Sequence, residues 1–228
     1  MKTPTTIPCA RARMAGFTLI ELLLVLAVMT VLLTLVVPAV QSTGAARLTA
    51  GGKQVAGLVG AARQTAMSHN TLAALVLLTS SNQPQAYRAF AIIYYKEGQG
   101  WVQKGNWELL PEGVVVDASN TADSTFLLNA PEPFPFLSEE QGQAVPPVRY
   151  QGEGVQGNNA MAARIFTAGG GLLDASVPSQ IRLVEGHVMS GTVQYGKPGV
   201  DGRPDNFFDI AILGATGLPK ISRPQLEP

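Results

Sequence analysis

Gly16-Phe17-Thr18-Leu19-Ile20-Glu21-Leu22-Leu23-Leu24-Val25-Leu26-Ala27-Val28-Met29-Thr30-Val31-Leu32-Leu33-Thr34-Leu35-Val36-Val37 is the stretch that decides how this chain is built. Phe17 to Val37 is a run of 21 residues with one charge, Glu21, near its start. At about 1.5 Å per residue such a helix reaches about 31 Å, the thickness of the hydrocarbon layer of a bilayer. A carboxylate inside hydrocarbon costs roughly 2.5–3.5 kcal/mol on insertion scales, so its retention calls for a compensating group.

Working outward from that run, residues 1–16 hold Lys2, Arg11 and Arg13 and no acid. A basic leader before an apolar run resembles a secretory signal, but three details disagree. The run is longer than the 7–15 residues of a signal core, no small-x-small cleavage pattern follows it, and it contains an acid. The plain alternative is a single membrane anchor with its basic leader cytoplasmic and the remaining chain outside. Arg47, Lys53 and Arg63 lie on the far side but further from the span.

Here the residues match a family. Gly16-Phe17-Thr18-Leu19-Ile20-Glu21, with its basic leader and following apolar helix, resembles the signal of type IV pilins and type II secretion pseudopilins. The resemblance implies cleavage between Gly16 and Phe17 by a prepilin peptidase and N-methylation of Phe17. It also implies assembly through Glu21 and the apolar Leu19, Ile20, Leu22 and Leu23; Pro38 falls where such helices usually have a proline, and proline removes a helical hydrogen bond and favours a kink there. Physically, Gly16 lets a protease approach the backbone closely. The amine freed at Phe17 lies four residues before Glu21, on one helix face, where an opposite charge favours the ionised carboxylate. The amine of the same chain or of a neighbour can serve; the resemblance favours the neighbour.

From Pro38 to about Ser68 the apolar positions Val40, Leu48, Val55, Leu58, Val59, Ala62, Ala66 and Met67 recur near helical spacing. The spacing predicts an amphipathic helix packed on a domain through its later half. Gly44, Gly51, Gly52, Gly57 and Gly60 interrupt it, each at up to about 1 kcal/mol against alanine. They mark either close packing and fraying or a helix able to bend or melt in a filament.

Beyond the helix, the pattern changes to β. Strands are expected at Leu72–Thr79, Tyr87–Tyr95, Val114–Val116, Arg164–Thr167, Ile181–Glu185, Val188–Tyr195 and Phe207–Leu213. Lys96–Gly100 reads as a loop before Trp101, Ala168–Gly171 as a turn able to join two strands, and Glu185–Gly186 as a turn. Residues 118–161, rich in Pro and Gly, read as a long excursion with one short strand near Thr125–Leu128 and two phenylalanines able to pin it to the surface. A long helix followed by a run of strands is α+β, with an antiparallel sheet against the helix. The expected organisation is a leader at 1–16, a membrane helix at 17–37, its amphipathic continuation at 38–68 and a β-rich domain at 69–228.

Three further stretches extend the resemblance towards H-type minor pseudopilins, FimT-like minor pilins and the Verru_Chthon cassette protein D group. They are Ala62–Asn70 before an apolar strand, Trp107-Glu108-Leu109-Leu110-Pro111-Glu112-Gly113-Val114, and Arg164-Ile165-Phe166-Thr167-Ala168-Gly169-Gly170. The chain lacks the C-terminal cysteine pair common in major adhesive pilins, which favours a minor or pseudopilin role. What the resemblance implies is a pilin-like α+β fold and a non-enzymatic structural subunit of a type II secretion or type IV pilus filament. Its implied partners are other pilin or pseudopilin subunits, the peptidase, an inner-membrane assembly platform and the lipid bilayer. Its implied place is the bacterial inner membrane, with the C-terminal domain periplasmic, and then a filament. The alternatives are an anchored binding module that does not polymerise and a DNA-binding minor pilin.

Composition narrows the chemistry. The chain has 228 residues, with 16 basic and 16 acidic side chains; excluding the leader leaves thirteen basic residues against sixteen acidic. No basic patch invites nucleic acid. Its one cysteine, Cys9, lies in the leader, so the rest forms no internal disulfide. His69 and His187 have no neighbouring nucleophile and carboxylate to recommend catalysis. Gly169-Gly170-Gly171 lacks the Lys-Ser/Thr ending of a phosphate loop. Asp201 and Asp205, in Asp-Gly-Arg-Pro-Asp-Asn, are weak candidates for calcium, although the spacing is not that of an EF-hand. No other cofactor is expected.

Overall fold

Among the described residues, α1 (Leu19–His69, 51 residues) precedes every strand. The structure is a computed structural model that describes residues 18–79, 83–119, 122–127, 149–150, 153–154, 161–176, 178–196, 198–199 and 201–223; the side chains of 33–43, 149–150 and 153–154 lie outside the description. The chain divides into two units, 1–42 and 43–228. In the first unit the described side chains of α1, from Leu19 to Leu32, are all exposed. The kink expected at Pro38 falls outside the described side chains.

In the second unit, Leu48, Val55, Leu58, Val59, Ala62 and Ala66 of α1 are buried at successive helical turns. Met67, expected on the same face, is instead 40% exposed. The helix stops at a Schellman motif: Asn70 adopts φ 49°, its N–H donates to the Met67 carbonyl and the Thr71 N–H donates to the Ala66 carbonyl. Asparagine tolerates this left-handed conformation better than most residues.

Two antiparallel sheets follow. Sheet A has the order β3 (Gly100–Leu109), β2 (Ala89–Lys96), β1 (Ala73–Leu78), β7 (Met161–Phe166). Sheet B has the order β11 (Pro219–Ser222), β10 (Phe207–Ile212), β8 (Ser179–Met189), β4 (Val114–Val116), with β9 (Thr192–Tyr195) also paired to β8. A small hairpin joins β5 (Arg149–Tyr150) and β6 (Glu153–Gly154). The inner faces of both sheets, including Leu75, Leu77, Phe90 and Phe166 from sheet A and Ile181, Leu183, Phe208 and Ile210 from sheet B, share one core with the buried face of α1. The fold is the α+β arrangement expected, with all strand pairs antiparallel.

Four local expectations are corrected. Strand β3 begins where the loop Lys96–Gly100 is expected to end: the turn is only Glu97–Gln99, and a ten-residue strand paired to β2 follows. Its centre is polar, and the register shifts between Phe90 and Ile92 opposite Gly105–Trp107, so neither alternation nor apolar content marks it. Thr125–Leu127 is a 3-10 turn rather than a strand. Glu185–Gly186 is not a turn but the middle of β8; a Cβ on Gly186 would overlap the Gln194 carbonyl, so the glycine permits a close strand approach. The reversal lies at Ser190–Gly191, both at positive φ (51° and 77°), which suits a two-residue hairpin loop. Finally, the turn after Phe166 closes on a single bridge to Leu172 rather than joining two full strands.

Candidate functional site

The first candidate site is the start of α1. Gly16 and Phe17, the expected cleavage and methylation residues, lie outside the described residues. Thr18 and Glu21 form a capping box. The Glu21 N–H donates to Thr18 Oγ1 (3.3 Å), and the Thr18 N–H and hydroxyl both donate to Glu21 Oε2 (3.0 Å each). This arrangement satisfies backbone donors that a helix start leaves without intrahelical partners. The pattern Thr-x-x-Glu before an apolar run is the sequence signal of such a cap, beyond the charge that Glu21 carries. Both Thr18 bonds land on Oε2, and a carboxylate carries lone pairs on two oxygens. Capping therefore leaves Oε1 able to accept from a second donor, such as an ammonium group. Leu19, Ile20, Leu22 and Leu23 around this cap are 83%, 77%, 56% and 63% exposed, an apolar surface at the helix start.

The second element is the seam holding residues 43–69 of α1 to the sheets. Arg63 Nε donates to the Thr216 carbonyl (2.8 Å), Arg223 Nη1 to Thr49 Oγ1 (2.7 Å), Gln54 Nε2 to the Leu109 carbonyl (3.1 Å) and Lys104 Nζ to Thr65 Oγ1 (3.0 Å). The stretch 107–114 leads from β3 into β4 and brings Leu110, Pro111 and Val114 against Gly51 of the helix. The stretch 164–170 ends β7 and turns at Gly170.

A third feature is a polar network on sheet B that sequence reasoning did not find. Arg182 on β8 donates through Nε and Nη2 to the two carboxylate oxygens of Asp209 on β10 (2.8 Å each) and pairs with Asp123 (2.9 Å). Its guanidinium lies 3.8 Å from the centroid of the Phe207 ring. Burial opposes the charge on Arg182, but the bonds to Asp209 and the nearby Asp123 and Asp117 charges outweigh that, holding its pKa above the ordinary value. The Tyr195 hydroxyl donates to Asp117 (2.9 Å) and also meets the Ser119 hydroxyl, while Asp117 is 1% exposed. Burial is the main cause that raises the Tyr195 pKa. The Arg182–Asp209 geometry is that of a clamp between neighbouring strands.

The remaining expected residues do not converge. His69 stacks on Tyr94 at 4.6 Å, and His187 lies within β8 opposite Gln194. Asp201 and Asp205 are both exposed in the segment between β9 and β10. Among the described residues, no group of three or more His, Cys, Asp or Glu is placed to hold a metal ion. Also among the described residues, no helix is long and apolar enough to cross a membrane.

A search of curated proteins finds no match to the chain. A solved structure, the minor pseudopilin EpsH from the type 2 secretion system of Vibrio cholerae, aligns with 78% of this chain and 98% of its own, at 9% identity and a TM-score of 0.41. Residues 11–37 match the family of the prokaryotic N-terminal methylation motif. The capped, apolar start of α1 is thus part of a prepilin-type N-terminal methylation motif.

Proposed function

We propose that this chain is a non-enzymatic, pilin-like minor subunit, cut between Gly16 and Phe17, methylated at Phe17 and assembled into a type II secretion or type IV pilus filament. The observation that carries the reading is the methylation motif over residues 11–37, with Glu21 inside its apolar helix. In this reading the helix rests in the inner membrane with its leader cytoplasmic and residues 43–228 on the other side. Other subunits, the peptidase, an assembly platform and lipid are its partners. Leu19, Ile20, Leu22 and Leu23 supply apolar packing between subunits, and Glu21 registers the helix against the methylated amine of a neighbour. The capping box supports this role, because it fixes the carboxylate at the helix start while leaving an oxygen for that amine. A buried or lipid-exposed carboxylate is tolerated when such a pair forms.

Mass spectrometry of the mature N-terminus tests the proposal. Methylated Phe17 as the first residue is the expected result. A chain that keeps residues 1–16 in cells that process other prepilins would leave an unpolymerised anchored module as the better reading.

A further inference from the structure

Strand β11 is an edge of sheet B: it pairs with β10 and, among the described residues, has no strand on its other side. The Leu213 N–H donates to the Leu218 carbonyl (3.0 Å), so by alternation Lys220 and Ser222 also direct their backbone groups to β10. The N–H and carbonyl of Ile221 and the carbonyl of Pro219 then face away from the sheet. Pro219 has no N–H to leave unpaired there, which suits a proline to an edge.

This edge lies beside α1. Arg63 Nε donates to the Thr216 carbonyl just before β11, and Arg223 Nη1 donates to Thr49 Oγ1 just after it. From Thr49 to Arg63 the helix rises about 21 Å, and from Thr216 to Arg223 a strand covers about 23 Å, so the two run side by side between these ties. Ile221 is paired with Ile210, a member of the core shared with α1, so both side chains lie on the helix side of sheet B. Ile210 is 0% exposed, yet Ile221 is 46% exposed. The helix opposite has little bulk to cover it. Ala56 and Gly60 fall on the same line of α1 as Thr49 and Arg63, and a Cβ built on Gly60 meets nothing within 4 Å. The result is an open trough, with small residues on the helix wall and outward backbone groups on the strand wall.

The rim of this trough is basic. Lys53 on α1 and Lys220 on β11 are exposed, and neither takes part in a salt bridge among the described residues. Arg63 and Arg223 bond neutral oxygens, those of Thr216, Thr49 and Asn206. Glu185, a carboxylate near the Arg223 end, already accepts from Asn206 Nδ2 and rests against Gly44 of the helix.

We infer that the α1–β11 trough binds an extended, acid-bearing segment of a partner protein, which adds to β11 as a further strand. Backbone bonds to Ile221 and Pro219 hold the segment, apolar side chains at alternate positions enter beside Ile221, and carboxylates between them meet the lysines of the rim. Lys220 and Pro219 also select against the simplest competitor. A second copy offering the same edge would bring two Lys220 side chains together and a second Pro219 without a donor, both of which disfavour edge-to-edge pairing. This inference does not depend on the assembly role proposed above.

Fluorescence anisotropy of a labelled pentapeptide tests it, on the full-length chain in a zwitterionic detergent with empty micelles as the blank. The probe, Val-Glu-Val-Glu-Val, reads the same in both directions, so parallel and antiparallel addition present the same side chains. Saturable binding is expected, with a Kd on the order of 100 µM. Val-Lys-Val-Lys-Val is expected to bind at least about tenfold more weakly. N-methylation of the central valine keeps both charges and removes one backbone donor, and is expected to weaken binding about tenfold. Gly60→Leu, which fills the trough from the helix side, and the double variant Lys53→Glu/Lys220→Glu are each expected to weaken it at least about tenfold, with the circular dichroism spectrum unchanged.

No saturation by about 1 mM peptide overturns the inference. Equal binding of the two pentapeptides overturns the preference for acids, insensitivity to N-methylation overturns strand addition, and insensitivity to Gly60→Leu overturns the location. Sedimentation of the chain without peptide tests the other occupant: a dimer that Gly60→Leu disperses would make a second copy the ligand and overturn the assignment to a partner. Where a variant loses its native spectrum, the Ile221 δ1-methyl resonance of the unsubstituted chain decides. Its displacement on adding the peptide supports the trough, and an unmoved resonance overturns it.

Discussion

Gly52 of α1 lies against the face of Phe208 on β10, so close that a Cβ on residue 52 would overlap the ring atoms Cδ1, Cε1 and Cζ. Both residues are buried, and the approach brings the helix onto sheet B. Gly57, five residues later, has nothing within 4 Å of its own built Cβ and faces solvent. Glycines in one helix therefore serve different purposes. Gly52→Ala is expected to destabilise the domain by about 1–3 kcal/mol through overpacking, despite alanine's better helix propensity. Gly57→Ala is expected to stabilise it by up to about 1 kcal/mol, since only propensity changes. Urea unfolding of the full-length chain in detergent, followed by far-ultraviolet circular dichroism, checks both signs. Equal effects at the two sites would disprove the contact with Phe208.

Glu21 has two duties in the present reading, capping Thr18 and pairing with an amine, and one substitution separates them. Glutamine at the third helical position can still bond the N-cap backbone N–H, but it carries no charge. Glu21→Gln is expected to leave insertion and processing intact and to abolish incorporation into filaments. Thr18→Ala, which removes the hydroxyl cap at a cost of about 0.5–2 kcal/mol, is expected to reduce incorporation without abolishing it. Quantitative immunoblotting of sheared filaments against membrane fractions checks this. Normal incorporation of Glu21→Gln would show that the cap, not the charge, is what the site provides.

Sequence made much of this fold readable where one physical signal dominates. Helical spacing marked the buried face of α1 from Leu48 to Ala66, and apolar β-formers marked β1, β2, β4 and β10. It failed where two signals conflict. The centre of β3, Gln103-Lys104-Gly105-Asn106, is polar because Lys104 reaches across to Thr65 while neighbouring positions are exposed, so its pairing with β2 leaves little apolar pattern. Gly186 looked like a turn because the close approach to Gln194 depends on a strand that is not paired until β9 folds back. At the candidate site, the methylation motif was legible because its chemistry is contiguous. The clamp of Arg182 with Asp123 and Asp209 was not, because its members are scattered along the chain and meet only when the strands align.

The Arg182–Asp209 pair joins β8 to β10 in the middle of sheet B, with side-chain exposures of 15% and 9%. Removing one member of such a pair leaves the other charge poorly solvated. Asp209→Ala is therefore expected to destabilise the domain by about 2–4 kcal/mol, towards the lower part of the range for buried pairs because Asp123 still faces Arg182. The isolated loss of Asp123, whose side chain is 27% exposed, is expected to cost about 1 kcal/mol or less. The same urea titration checks the order. A larger effect for Asp123→Ala than for Asp209→Ala would show that the more exposed pair is the principal anchor of the guanidinium.

Tyr87 and Tyr195 give the domain an alkaline limit. Burial raises the pKa of both above the ordinary 10.0, and at Tyr195 the bond to Asp117 adds to that rise while the contact with Ser119 opposes it. A phenol whose folded pKa lies above its unfolded value keeps its proton more tightly when folded. Its contribution to stability is complete below about pH 10 and is lost as pH climbs through the folded value, because the unfolded state then releases the proton first. The raised Arg182 pKa acts in the same direction but lies above this window, and so leaves it flat. Unfolding free energy is thus expected to fall between pH 10 and the folded tyrosine values, with Tyr195→Phe reducing the slope. Tyr195→Phe also loses the bond to Asp117, so it should start less stable at pH 8, by about 1–2 kcal/mol, and decline less with alkali. Urea midpoints measured from pH 8 to about pH 11 decide the matter. A slope unchanged by both Tyr195→Phe and Tyr87→Phe would place the alkaline limit on the lysines instead.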